Sequence, residues 1–214
     1  AQKTYVPDDK FEQALIDLGY DTTLDDSVLT ANISGVTSLN VGGKEIGDLT
    51  GIEAFVALEE LWFYQNKLTS VDVTKNTSLT YLNSSINQLT SLDVTKNTSL
   101  KYLYNDENSV TSLDLSKNAA LVELQCSDCK LTSLDVTANT ALTLLKSNDN
   151  QLTSLDVSKN TALVTLELYN NKLTSLDVSS NTALTGLYCG DNQLTSLDVS
   201  SNTVLEWLLA SNNQ

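Results

Sequence analysis

The chain of 214 residues has no histidine, one proline, three cysteines and only 12 basic residues. Without histidine, the commonest general base and the commonest nitrogen ligand for metals are missing. No nucleophile is paired with a base at a telling spacing, and no glycine-rich loop is built to cradle phosphate. No apolar run approaches the ~20 residues of a membrane span. Against the 12 cations stand 27 acids, a formal charge of −15, which argues against nucleic acid or an anionic membrane as partner.

What is present is repetition. From Leu68 to Gln214 the chain divides into seven consecutive units of 21 residues, starting at Leu68, Leu89, Val110, Leu131, Leu152, Leu173 and Leu194. A fixed period in the twenties is the sequence mark of a leucine-rich solenoid. Each unit carries one template twice. Leu163, Leu166, Leu168, Asn171 and Leu173 follow L-x-x-L-x-L-x-x-N-x-L, and Leu152, Leu155, Val157 and Asn160 repeat it. Apolar fourth and sixth places alternate with polar ones, so strand periodicity is expected in both halves. The asparagines recur where the chain must turn, and stacked coils would let their amides bond backbone groups that a turn leaves unpaired.

The nested form, L-x-x-L-D-V in one half and a variable strand motif in the other, resembles the bacterial 21-residue class of leucine-rich repeats called IRREKO. The resemblance covers the chain from about Val36 onward. It implies a mostly β solenoid with little helix and a surface or secreted protein, including those of Bacteroidetes. Internalins and BspA-like surface proteins are more distant relatives by analogy.

Residues 1–35 read as an N-terminal cap and 36–214 as the solenoid. A short helix over 6–18 is expected, capped by Asp8 or Asp9, with Phe11, Leu15 and Leu18 on one face and Gly19 ending it. Such a cap covers the core leucines that an open solenoid end exposes. Residues 20–35 continue the cap or link it. Val36, Leu39, Val41 and Ile46 fit the strand template, as do Leu58, Leu61, Phe63, Asn66 and Leu68, with a first spacing of 22 residues. Ala1-Gln2 resembles the pair left around a signal cleavage site, so a secreted or cell-surface mature form is expected. Leu205 and Leu208 fall in the final coil, where self-association is a further expectation.

The units can be compared with one another. In the L-T-S-L-D-V half the columns Thr69 to Thr195 and Asp72 to Asp198 hardly change. In the other half one outward column runs Trp62, Asn83, Tyr104, Gln125, Lys146, Glu167, Tyr188, Leu209. Two places on it runs Tyr64, Ser85, Asp106, Ser127, Asn148, Tyr169, Gly190, Ser211. Both tryptophans and six of the eight tyrosines lie on this variable half, whereas Phe11, Phe55 and Phe63 take core positions. Strand propensity and drift would also place aromatics there, but the opposite face has not drifted. Exposed Tyr and Trp dominate binding hot spots. The expected ligand-binding face is therefore Trp62, Tyr64, Tyr81, Tyr102, Tyr104, Lys146, Tyr169, Tyr188 and Trp207. At about 4.8 Å per coil it is ~40 Å long, suited to an extracellular protein or an extended glycan.

Other constellations point elsewhere. Cys126 and Cys129 form C-x-x-C, but zinc needs about four ligands and no second pair exists. Cys126 and Cys189 occupy the apolar sixth place, Cys129 replaces a ladder asparagine, and all three read as buried thiols. No cofactor is implied. The stacked carboxylates of the Asp column repel one another unless compensated, by hydrogen bonds from the flanking hydroxyls, by solvation or by bridging calcium. A second acidic group, Asp106, Glu107, Asp128, Asp149 and Asp191, could also hold calcium or attract a cationic partner. The Thr column, if it lies on a flat sheet, resembles arrays that bind ice. The sequence favours a non-enzymatic recognition module, with a passive spacer and ice binding as alternatives.

Overall fold

The computed structural model describes residues 1–214. The chain opens with strand β1 (Lys3–Tyr5), antiparallel to β2 (Ser27–Leu29), and the two flank helix α1 (Asp9–Asp17). A single turn of helix, α2 (Thr30–Ile33), follows β2. Helix α1 is shorter than the expected 6–18. Asp8 stays extended as its N-cap, with Oδ1 accepting from the amides of Lys10 and Phe11 at 2.8 and 3.0 Å. Gly19, at φ +81°, ends it.

Phe11 and Leu15 are buried as expected, but Leu18 is 46 % exposed and Glu12 is buried instead. Its carboxylate is satisfied by three amides, those of Asp25, Asp26 and Ser27 at 3.0, 3.1 and 2.8 Å. A buried anion needs such donors, and here they bind the helix to the loop before β2. The rings of Phe11 and Phe55 lie 6.5 Å apart, joining the cap to the first coil.

The solenoid is built on nine parallel strands in chain order. They are β3 (Ser38–Asn40), β4 (Glu60–Trp62), β5 (Tyr81–Asn83), β6 (Tyr102–Tyr104), β7 (Glu123–Gln125), β8 (Leu144–Lys146), β9 (Thr165–Glu167), β10 (Gly186–Tyr188) and β11 (Trp207–Leu209). Pairing is in register, so Leu61, Leu82, Leu103, Leu124, Leu145, Leu166 and Leu187 stack as one fully buried column. Burying each such leucine contributes about 2 kcal/mol. In β11 the equivalent Leu208 is 43 % exposed.

The L-T-S-L-D-V half does not form the expected strand. Asp72 Oδ1 accepts from the Thr74 amide at 2.9 Å and from its hydroxyl at 2.6 Å, and the aspartates of later coils repeat the amide bond. This side-chain turn competes with a sheet ladder and wins. It also supplies the compensation that the Asp column needs: the hydroxyl and amide two residues on hold these carboxyls below their ordinary range.

Two asparagine ladders clamp the coils. In the inner one Asn97 donates through Nδ2 to the carbonyls of Val73 at 3.0 Å and Asn76 at 2.8 Å, a pattern repeated as far as Asn202. In the outer one Asn87 Oδ1 accepts from the Leu68 amide at 3.1 Å while Nδ2 donates to Phe63 and Ser84 carbonyls at 3.0 Å. Cys129 takes one outer rung, its Sγ donating to the Asn105 carbonyl at 2.9 Å. All three cysteines are buried and unpaired with one another. The sixth-place column is less apolar than its pattern implies. Ser84, Asn105 and Ser147 are fully buried among Phe63, Cys126, Leu168 and Cys189. Ser84 Oγ and Asn108 Nδ2 both donate to Asn105 Oδ1, at 2.8 and 3.1 Å, which satisfies that amide inside the core.

Candidate recognition face

A strand centred on a buried leucine turns its neighbours outward. The sheet therefore presents three parallel columns, the residues before and after each central leucine and those two places further on. The register brings the aromatics of β4 to β6 together. Trp62 packs on Tyr81 with ring centroids 4.8 Å apart, and Tyr81 lies 6.0 Å from Tyr102 and 5.3 Å edge-on to Tyr104. Each contact is within the range at which aromatic pairs add stability beyond area. These four rings are half-buried rather than fully exposed, because each covers the next. The Tyr104 hydroxyl donates to Glu123 Oε2 at 2.6 Å, and burial with that carboxylate pushes the phenol far above its ordinary pKa.

Tyr64 stands beside this cluster, over Gly42, where a Cβ would lie 2.5 Å from its ring. Lys146 is paired across the strands: its Nζ lies 3.1 Å from Glu167 Oε1, and Asn148 Nδ2 donates to the other oxygen at 3.0 Å. The remaining aromatics stay apart. Tyr188 folds over Gly186, a Cβ there falling 2.9 Å from its ring. Tyr169 and Trp207 are 46 and 63 % exposed, and no ring contact joins them to Tyr188. Asp191 beside the Tyr169 hydroxyl raises that phenol's pKa.

One edge of the face is a column in left-handed backbone: Gln65, Ile86, Glu107, Asp128, Asp149, Asn170, Asp191 and Asn212, with φ between 51 and 58°. Asparagine and aspartate tolerate that conformation, but β-branched Ile86 (φ 57°, 43 % exposed) does not. Five of the eight residues in this column are Asp or Asn, which is the sequence sign of the conformation. Asp106 lies just inside the edge, Oδ1 accepting from the Ser127 amide at 2.7 Å, and its burial raises its carboxyl pKa.

The carboxylates of Asp106, Glu107, Asp128 and Asp149 do not gather as a calcium site would require. Three such ligand atoms come within 4.8 Å of one another only at Glu12, Asp21 and Asp25. There Glu12 is already saturated by amides, and Asp25 pairs with Lys3 Nζ at 2.8 Å. Beneath the Thr column no strand forms, so these threonines do not lie on a flat sheet.

Comparison with known proteins places this geometry. The leucine-rich repeat family pattern matches residues 169–186. The functional domain of InlJ from Listeria monocytogenes, described as including a cysteine ladder, is 39 % identical with a TM-score of 0.94, the match covering 100 % of this chain and 48 % of that one. The chain thus spans about half the length of that relative. An internalin C2 from the same species is 22 % identical over 98 % of both chains, with a TM-score of 0.81. A leucine-rich repeat protein from Leptospira interrogans, also 22 % identical, covers 86 % of this chain and 56 % of its own at a TM-score of 0.75. No curated protein sequence matches the chain.

Proposed function

Taking the chain as a bacterial, internalin-like leucine-rich repeat protein, we propose that it is a non-enzymatic module that recognises a macromolecule through the outward strand columns. The observation that carries this reading is the aromatic cluster Trp62, Tyr81, Tyr102 and Tyr104, gathered on one sheet face while the opposite half keeps the same Thr and Asp in every unit. Large half-buried rings offer contact area at low entropic cost. The sheet fixes them in place before any ligand arrives. Tyr64, Tyr169, Tyr188 and Trp207 extend the surface along the remaining strands. Lys146 contributes through its pair with Glu167 rather than as a free cation.

The exposed, open face supports binding rather than chemistry, since it has no means of excluding water. A secreted or cell-surface location accords with this reading, as does the finer assignment to the nested 21-residue class, which rests on the register of seven units. The test is capture from extracellular proteins and surface glycans, comparing the wild type with a Trp62→Ser, Tyr104→Ser, Tyr169→Ser, Tyr188→Ser variant that keeps its fold. A ligand held by the first and lost by the second supports the face. Equal capture by both sinks it, and capture by neither favours a passive spacer.

A further inference from the structure

The strand face and the opposite half differ in charge as well as in variability. On the opposite half, lysines offset four of the seven aspartates: Lys75, Lys96, Lys117 and Lys159 each act favourably on the Asp three residues before them. The strand columns themselves are less compensated, with Lys67, Lys101, Lys130 and Lys172 only bordering them. The outward columns carry Glu60, Asp106, Glu123 and Glu167. The left-handed edge adds Glu107, Asp128, Asp149 and Asp191. Lys146 is the one cation in all four columns, and Glu167 already neutralises it. Glu60, Asp106, Glu107 and Glu123 lie in the coils of the aromatic cluster or the next one, and Asp128, Asp149, Glu167 and Asp191 continue the negative charge along the face beyond it.

We propose that the partner of this face is a basic polypeptide segment, with arginine side chains packed on the solvent-facing side of the Trp62–Tyr81–Tyr102 cluster and further cations along the Glu107–Asp128–Asp149 edge. This rests on the recognition reading above and narrows it. Guanidinium planes stack on aromatic faces more readily than ammonium groups do. Complementary charge steers the approach and excludes anionic partners, among them acidic glycans. A neutral glycan would use the rings but draw nothing from the carboxylate edge. The side chain of Ile86, exposed in that edge between Gln65 and Glu107, adds an apolar contact next to the cluster.

The test titrates the full chain with three peptides of equal length, (Arg-Gly-Ser)4, (Lys-Gly-Ser)4 and (Glu-Gly-Ser)4. The arginine peptide should bind at least about threefold more tightly than the lysine peptide, and the glutamate peptide should not bind. Trp62→Phe with Tyr81→Ser should weaken the arginine peptide about tenfold and bring it level with lysine. Asp128→Asn with Asp149→Asn should weaken both cationic peptides alike. Asp93→Asn with Asp135→Asn, on the opposite half, removes the same charge and should leave binding within twofold. Equal loss in that control, or equal affinity of the arginine and lysine peptides in the wild type, overturns the proposal. If the aromatic variants lose a captured neutral glycan but no peptide binds, recognition stands and the basic partner falls. If they capture everything the wild type does, both fall.

Discussion

The Asp8 carboxylate and the Gly47 amide meet at 2.8 Å across 39 residues of sequence. The same Oδ2 also accepts from Asp48 at 2.9 Å, while Oδ1 caps α1. One side chain thus starts the helix and fastens it to the first coil. Asp8→Ala should lower stability by about 2–3 kcal/mol, from one lost cap and two lost charge-assisted bonds. Asp8→Asn should keep the cap but set an NH2 against the Gly47 and Asp48 amides, losing most of the junction. Urea unfolding followed at Trp62 in a Trp207→Phe background reports the coils next to the cap, which matters because long repeat arrays need not unfold in one step.

Cys129 breaks the outer ladder. Asn108 and Asn150 accept the amides of Leu89 and Leu131 at 3.0 and 2.8 Å, but a thiol gives the Val110 amide no equivalent oxygen. Cys129→Asn should restore that acceptor and raise stability by about 1 kcal/mol. The measurement is the urea midpoint at unchanged m-value. A fall would show that the thiol, wedged against Asn105, leaves no room for an amide.

Ile86 should yield the opposite of the usual mutational result. Its left-handed backbone penalises a β-branched residue, and its side chain is exposed. Ile86→Asn, the residue at the same place in two later coils, should stabilise the fold by about 1 kcal/mol. Thermal unfolding checks it.

Acid should loosen the turns of the constant half. Asp93 and Asp135 have carboxyls held below 3.8 by the Thr95 and Thr137 hydroxyls and amides. A depressed folded pKa gives stability that is present above the unfolded value and lost as pH falls through the folded one. Asp93→Asn with Asp135→Asn keeps an acceptor but no titration, so the wild type's advantage over it should shrink steadily below about pH 4. Asp106 has the reverse sign. Burial raises its pKa, so Asp106→Asn should gain on the wild type as pH rises through that raised value. Urea unfolding between about pH 2 and 6 separates the two.

The 21-residue register, the buried leucine columns and both asparagine ladders could be read from residues such as Leu166, Asn160 and Asn171, because a fixed period places equivalent residues above one another. The single-stranded character of each coil could not. Leu-Asp-Val alternates like a strand, and only the bond from the Thr74 amide back to the Asp72 carboxylate decides for a turn. Asn105 was hidden for another reason: Ser84 shares its column, but Asn108 belongs to the outer ladder, and the sixth-place column read by itself shows only misplaced polar residues. Along one strand, Trp62 and Tyr81 read as two exposed rings. That they cover each other follows from the lateral pairing of Glu60 with Tyr81 and Trp62 with Asn83, which sequence spacing implies but side-chain packing completes.

Because each strand pairs in register with the one 21 residues on, whole coils are interchangeable genetic units. Excising residues 131–151 by recombination would seat Asn160 above Asn118 and set Gln125 beside Glu167 where Lys146 now lies. The ladders and the leucine column would close over the gap; inside the core the one change of kind would be the loss of Ser147, setting Leu168 beside Cys126, and otherwise only the order of outward residues would change. A lineage built this way can rewrite its surface one coil at a time, without searching again for a sequence that folds.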